Sequence, residues 1–485
     1  MSDAIRFLLN GEPREVRGLS PTTTVLEYLR GWENKCGTKE GCAEGDCGAC
    51  TVALAEAAED GGLAWRSVNA CIQFLPTLDG KALYTVESLR APDGALHPVQ
   101  RAMVECHGSQ CGFCTPGFVM SLFALTRNAP AADDETIHDA LTGNLCRCTG
   151  YRPILDAARS LGAEAGDDHI RAAEAEVAAT LRRLQRDDTF VYEHDGAHFF
   201  APRKPKALAK LLDSLPNATL LAGGTDVGLW VTKQHRRLPT LVYTGNIAKL
   251  HRIRRTEAGL EIGAAATHTE AFEALAGIEP SMRALWQRFA SLQVRNAGTL
   301  GGNIANGSPI GDGMPPLIAL GARIVLTAAE GSRELPLDEF YIAYRQTALR
   351  PGEFVERVIV PPLGPDTLFK TYKVSKRFDQ DISAVCGGFA VRLEDGRVAE
   401  ARLAFGGMAA IPKRAAAAEQ ALTGQVWGEA AVAAAMAALE ADFQPLSDMR
   451  ASAGYRGRVA ANLLRRFWLE ASGAVDLTQV YRHAG

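Results

Sequence analysis

No stretch of this 485-residue chain approaches the roughly 20 apolar residues of a membrane-spanning helix, so a transmembrane anchor is not expected. Nor does charge of one sign dominate: 52 basic residues stand against 56 acidic ones, a net of −4, which gives no reason to expect nucleic acid or an anionic membrane as partner. The opening MSDAIRFLLNGEPREV lacks the basic segment and long apolar run of a secretory leader. Neither glycine-rich run of the chain has the GxGxxG fingerprint after a strand, and no P-loop occurs, which weakens both common nucleotide-binding readings. What the chain has is bulk and thiols. Apolar residues make up 47% and charged ones 22%, enough for sizeable cores in three or four domains.

Eight of the 11 cysteines fall into two groups of four. Cys42, Cys47, Cys50 and Cys71 are spaced C-x4-C-x2-C with a later fourth, the spacing by which a plant-type loop wraps a 2Fe-2S cluster. The glycines of GCAEGDCGACTV let backbone amides approach the sulfurs. Zinc is the alternative, but it usually takes two C-x2-C knuckles rather than three cysteines in one glycine-rich loop. Cys111, Cys114, Cys146 and Cys148 lie in CGFC and CRC, a pattern that spacing alone leaves open between zinc and iron–sulfur. Its place directly after a ferredoxin-type loop favours a second cluster, because two in series make a wire. Thr115 is expected to cap a helix with Pro116 at its first position, aiming a positive helix end at the thiolates. A second helix is expected to end at Gly143, before the CRC turn, and a third to begin near Pro153. Cys36, Cys106 and Cys386 are expected to be ordinary buried thiols. Cysteines grouped for metal without an export signal point to a reducing cytoplasm.

The order of elements suggests a multidomain α+β chain. Residues 1–85 read as a hairpin around Asn10-Gly11, a threonine-capped helix, the cysteine loop and returning strands, which suits a ferredoxin-type β-grasp. Residues 86–162 are helical throughout, four short helices around CGFC and CRC. Residues 163–187 are rich in Ala, Asp and Arg with few large apolar groups, a solvated helix or linker. Residues 188–362 alternate strands, helices and glycine turns, and 363–485 form an α+β domain with an Ala-rich helical tail.

Two glycine runs stand out in the third region, LLAGGTDVG and AGTLGGNIANGSPIGDG. Each leaves backbone N–H groups clear to face pyrophosphate oxygens, although most glycine turns are only turns. Beside iron–sulfur ligands, flavin fits best, because it takes electrons singly and releases two as hydride.

At this point the motifs GCAEGDCGACTV, CGFCTPG, NLCRCTGYRPI, LAGGTDVG and TLGGNIANGSPIGD resemble those of the molybdenum hydroxylases, and their order on one chain is similar to the iron–sulfur/FAD subunit of the purine-oxidising members. The resemblance covers nearly the whole chain. It implies a β-grasp 2Fe-2S domain, a four-helix 2Fe-2S domain, an FAD domain of the vanillyl-alcohol-oxidase type and a C-terminal α+β flavoprotein domain. It would place FAD along Leu220, Leu221, Ala222, Gly223, Gly224, Thr225, Asp226 and Val227, and along Thr299, Leu300, Gly301, Gly302 and Asn303, with Phe289, Asp312, Val355 and Lys373 as further contacts. YKVSKRFDQDI resembles a loop near the flavin ring that influences access by NAD, with Lys376, Arg377 and Asp379 as its charged members. The family likeness implies NAD as electron acceptor and a molybdopterin site on a large partner chain, two copies of each chain forming a heterotetramer. The chain ends at residue 485 without room for molybdopterin domains, so no catalytic residue is expected in it. The alternatives are the same kind of subunit serving an aldehyde, nicotinate or carbon monoxide enzyme, or a free-standing redox carrier.

Overall fold

Asn10 and Gly11 both adopt positive φ, 55° and 85°, as a tight hairpin turn requires, and they join the strands Ile5–Leu9 and Glu12–Val16 in register Ile5 to Val16. The computed structural model describes residues 3–474 and 478, which divide into two units. The first unit takes the residues up to Ala248 together with Thr267–Thr269 and Ala290–Gly298; the second takes Lys249–Ala266, Glu270–Phe289 and the residues from Thr299 onward. The expected FAD segment 188–362 is thus shared between the two.

In the first unit, Ile5–Leu9 pairs in parallel with Ala82–Tyr84, which pairs with Thr51–Ala57 and through it with Leu63–Asn69. The helix Val25–Gly31 begins with a capping box, Thr24 accepting from the Glu27 amide while Glu27 reaches back, and it buries Val25, Leu26, Tyr28 and Leu29. This is the β-grasp arrangement. Helices Pro98–Glu105, Thr115–Asn128, Asp134–Leu141 and Arg152–Arg159 follow, with Phe118, Phe123, Ile137 and Ile154 in a shared core. The segment 163–187 is more than a linker: Glu174–Leu184 is a helix that buries Val177, Ala178 and Leu181. Small alanines serve this face, so a count of large apolar residues underestimates it. Asp168 fixes the segment's start, accepting from the amides of Ile170 and Arg171 and holding His97 Nε2 at 2.6 Å. A four-stranded sheet ordered Phe190–His194, Ala197–Ala201, Thr240–Tyr243, Thr219–Leu221 completes the unit.

In the second unit a five-stranded antiparallel sheet runs Ile253–Thr256, Gly259–Gly263, Phe354–Val360, Arg323–Thr327, Ser332–Pro336. The helices Ser281–Gln287, Leu300–Asn306 and Met314–Ala319 cover it with Trp286, Ile304 and Leu317. A second sheet, built on Thr367–Val374, Val385–Glu394 and Arg397–Gly406, packs against the helices Glu429–Asp442 and Ala453–Ala471. Among the described residues, no helix is long and apolar enough to cross a membrane.

Candidate iron–sulfur and flavin sites

The loop from Gly41 to Cys50 turns on left-handed residues, Ala43, Gly45 and Gly48 having φ of 53°, 82° and 68°. These turns aim successive amides at one sulfur: Cys42 Sγ accepts from the N–H groups of Glu44 at 3.4 Å, Asp46 at 3.3 Å and Cys47 at 3.3 Å. The Cys42 thiol is also within hydrogen-bonding reach of Cys47 and Cys71, and Cys71 of Cys50. Donation by Cys47 and Cys71, aided by the amides, holds Cys42 well below the usual thiol range. Cys47 and Cys71 move upward, because each would have to ionise beside Cys42. Gly41 belongs to the same cradle, since a Cβ there would stand 2.7 Å from Cys47 Sγ. Asn69 donates to the Gly45 carbonyl at 2.8 Å and bridges loop to strand.

In the second set Cys111 meets Cys148 and Cys114 meets Cys146. Burial and the neighbouring Cys146 push Cys114 up to about 12. Cys114, not Thr115, is the cap residue of the helix Thr115–Asn128, and it caps without a side-chain bond. Thr115 lies already inside the first turn, where its hydroxyl pairs with Ser109 Oγ at 2.7 Å. Tyr151, at φ 69°, turns its hydroxyl back to accept from the Cys146 amide at 3.0 Å, and Cys146 Sγ lies 3.2 Å from Thr149 Oγ1. Cys111 and Cys148 are exposed, with Phe113, Leu145 and Tyr151 showing 47%, 45% and 39% of their surfaces nearby. Of the three remaining cysteines only Cys386 is buried; Cys36 is exposed and Cys106 half-buried, contrary to expectation, because Cys36 sits in an open turn after the helix Val25–Gly31.

Among the described residues no three His, Cys, Asp or Glu side chains close around a single metal ion. The thiols instead form strings of contacts, Cys47–Cys42–Cys71–Cys50 in the first set. Four soft donors without a carboxylate or imidazole among them suit a two-iron cluster, which spreads four thiolates over two metals.

The first unit also orders these sites along the chain of contacts. The Leu145 amide, one residue before Cys146, donates to the Cys47 carbonyl at 3.0 Å. Two residues beyond Cys71, Gln73 Nε2 donates to the Gly223 carbonyl at 3.1 Å. Leu220 and Leu221 end the strand Thr219–Leu221, and the turn of Ala222, Gly223, Gly224, Thr225 and Asp226 leads on into the helix Val227–Thr232. Here glycine is demanded by space: a Cβ at Gly223 would meet the Ala297 carbonyl oxygen at 1.9 Å, and one at Gly228 the Ile72 carbonyl at 2.8 Å. His268 lies beside this turn, its ring and Thr225 both within 3.3 Å of a Cβ built at Gly298. Burial, with Arg295 adding to it, lowers His268 to about 3.

In the second unit Thr299 caps the helix Leu300–Asn306 by accepting from the Gly302 amide at 3.0 Å. Leu300 is buried, and Gly301 packs so closely on Ala264 that a Cβ would approach to 2.4 Å. Asn303 Oδ1 is buried without a hydrogen-bond partner among the described residues, the kind of orphan atom that a bound polar group satisfies. Phe289 lies edge-on to Phe272 at 5.3 Å, and Val355 is a buried member of the core. Lys373 Nζ bonds Asp312 Oδ2 at 2.6 Å, the Asp381 carbonyl at 2.8 Å and Ser383 Oγ at 3.0 Å. Arg288 holds the loop after this strand through the carbonyls of Lys373 and Phe378. Within the loop it is Asp381 that organises the charges, accepting from the amides of Lys376 and Arg377 at 2.7 and 2.9 Å. Sequence reasoning missed Asp381 and Arg288 as determinants, since neither belongs to a spacing pattern.

Comparison with known proteins agrees with this geometry. Residues 7–74 match the 2Fe-2S iron-sulfur cluster binding domain, 85–159 the [2Fe-2S] binding domain, 193–363 the FAD binding domain in molybdopterin dehydrogenase, and 370–471 the CO dehydrogenase flavoprotein C-terminal domain. Xanthine dehydrogenase of Emericella nidulans is 33% identical over 98% of this chain and 39% of its own length. Xanthine dehydrogenase/oxidase of Gallus gallus is 31% identical over 88% of this chain and 37% of its own. The chain therefore spans about two fifths of the length of these curated relatives. A solved carbon monoxide dehydrogenase chain from Hydrogenophaga pseudoflava is 29% identical with a TM-score of 0.53, covering 55% of this chain and 94% of that one. Two 2Fe-2S domains joined to an FAD-binding domain define an iron–sulfur flavoprotein. The chain belongs to the molybdenum hydroxylase family, of which it is an electron-transfer part.

Proposed function

We propose that this chain is the electron-exit subunit of a xanthine dehydrogenase, carrying electrons from a molybdopterin site on a large partner chain through two clusters to FAD and on to NAD. The observation that carries the reading is the order of contacts in the first unit. The second thiol set touches the first through Leu145 N–H and the Cys47 carbonyl, and the first touches the glycine turn through Gln73 and Gly223. When bound, the clusters supply one-electron steps and FAD the change to a two-electron hydride. Cys42, Cys47, Cys50 and Cys71 would hold one cluster, and Cys111, Cys114, Cys146 and Cys148 the other. By the family likeness Leu220 to Val227 and Thr299 to Asn303 are the FAD-binding segments; in the second of them the amides of Leu300, Gly301, Gly302 and Asn303 already donate to Ala266, Ala264 and Thr299, so Asn303 Oδ1 is the polar atom left for a ligand.

Exposure supports the direction of flow. Cys111 and Cys148 open on the surface beside Phe113, Leu145 and Tyr151, whereas Cys50 and Cys71 are buried. A large partner bearing the molybdenum site would cover that apolar rim, in a complex of two small and two large chains. The carbon monoxide dehydrogenase chain that matches is spanned by little more than half of this one, which favours a complex divided among several chains and keeps carbon monoxide as the alternative substrate. The purine reading, with hypoxanthine and xanthine oxidised to urate, rests on the relatives named xanthine dehydrogenase. At the acceptor end, Lys376 Nζ donates to the Met449 carbonyl and Arg377 to the Gln380 carbonyl, both at 2.8 Å, and these two anchored cations are the ones that would meet an NAD phosphate.

Cys114→Ser tests the order. Xanthine should then reduce neither the first cluster nor FAD, while NADH still reduces the flavin. Normal reduction of the Cys47 cluster by xanthine in this variant, seen by low-temperature spin resonance, would reverse the order.

A further inference from the structure

Between the two thiol sets lies a buried chain of side chains whose far end is contributed by a residue about 150 positions away in sequence. Gln293, on the short helix Leu292–Arg295, has no exposed surface and donates through Nε2 to Ser121 Oγ at 2.9 Å and to Asn144 Oδ1 at 3.0 Å. Ser121 donates to the same Asn144 oxygen at 2.6 Å. Asn144 in turn donates through Nδ2 to the Gly48 carbonyl at 3.1 Å and to Thr51 Oγ1 at 3.2 Å, and Thr51 closes the chain on the Gly48 carbonyl at 2.7 Å. Gly48 directly follows Cys47, and Asn144 precedes Cys146 by two residues. All of these residues lie in the first unit.

The network has one workable polarity and no slack. Turning the Gln293 amide over would set its oxygen against Asn144 Oδ1, acceptor against acceptor, so the donors fix its orientation. A Cβ at Gly143 would come within 1.6 Å of Gln293 Oε1, one at Gly48 within 2.1 Å of the Gly143 carbonyl, and one at Gly117 within 2.2 Å of the Gly48 carbonyl. Mere space-filling would be met by an apolar side chain of similar volume. Gln293 Oε1 is buried without a hydrogen-bond partner among the described residues, so the side chain is held by its two donated bonds alone, and these specify its arrangement.

We propose that Gln293 is a positioning residue for electron transfer: through Asn144 it holds the turn carrying Cys146 in register against the loop carrying Cys47 and Cys50, and thereby sets the coupling between the two clusters. The proposal deepens the relay reading and rests on it. The step it governs moves one electron from the reduced site of one set to the oxidised site of the other, with no bond made or broken and no proton transferred.

The test compares the parent protein, as purified with any partner, with Gln293→Met, which keeps the volume and loses both donated bonds. Iron and flavin contents should match the parent. In the fully reduced protein the low-temperature spin-resonance splitting from two neighbouring paramagnets should change. Transfer between the sets, followed by rapid mixing, should slow about tenfold, as loss of an outer-shell partner commonly does. Gln293→Leu, which likewise has no donor, should show the same signature and serves if the Met variant does not fold. Unchanged splitting and rate with full iron would overturn the proposal, and so would loss of iron from one set, which would make Gln293 a support of the ligand turn alone. Zinc, or iron for only one cluster, in the parent protein would instead sink the relay reading itself.

Discussion

Lys373 directs its ammonium to Asp312, Asp381 and Ser383 of the second unit, and its pairing with Asp312 is almost wholly shielded, the two side chains being 2% and 4% exposed. The resemblance offered both residues as flavin contacts. Their geometry suits a supporting role, because the ammonium pins the Asp381 carbonyl and Ser383 and so fixes the loop that follows the strand Thr367–Val374. Lys373→Met leaves the Asp312 charge buried beside a single hydroxyl partner, and such a half-broken pair costs about 3–5 kcal/mol. Urea unfolding should show a loss of that size. His268 gives a pH signature in the first unit. Its folded value, about 3, lies below the ordinary histidine value near 6.5, so the unfolded chain takes up the proton more readily. The stabilisation is therefore full above about 6.5 and declines as pH falls from there towards 3. The thermal midpoint of His268→Gln should fall less over this range than that of the parent. At this scale the sequence reveals residues whose chemistry is their spacing, as with the cysteines. It hides Gln293, Arg288 and Asp381, whose roles come from partners that only folding brings near.

At the scale of elements, the helix Thr115–Asn128 and the cysteine loop are fitted to each other at backbone contact. Gly117, in the helix's first turn, faces the Gly48 carbonyl so closely that a methyl would stand 2.2 Å away. Gly117→Ala must separate helix and loop; overpacking of this kind costs about 1–3 kcal/mol. The melting temperature should drop and iron should be lost from both sets together, which metal analysis of the purified variant checks. The hairpin at Asn10-Gly11 and the Thr24 capping box could be read from the chain, because a turn that needs positive φ and a cap that needs a hydroxyl each have few solutions. The helix Glu174–Leu184 could not, since its buried face relies on Val177, Ala178 and Leu181, too small a stripe to separate from a solvated helix. The cap at Cys114 was displaced by one residue for a similar reason: Thr115 has a competing partner, Ser109, that spacing does not show.

At the scale of the whole molecule, both thiol sets and the first glycine turn share one unit, while Thr299 to Asn303, Asp312 and Lys373 belong to the other. The four functional segments were legible in order because each is a short, chemically constrained motif. The division of residues 188–362 between two units was not, because it depends on which faces the strands Phe190–His194 and Ile253–Thr256 find to pack against. The central claim is that two clusters and one flavin are carried together as a relay. Quantitative iron, zinc and flavin analysis of the natively purified protein tests it most directly. The account expects about four irons and one FAD per chain with little zinc; stoichiometric zinc, or iron near two per chain, would contradict it.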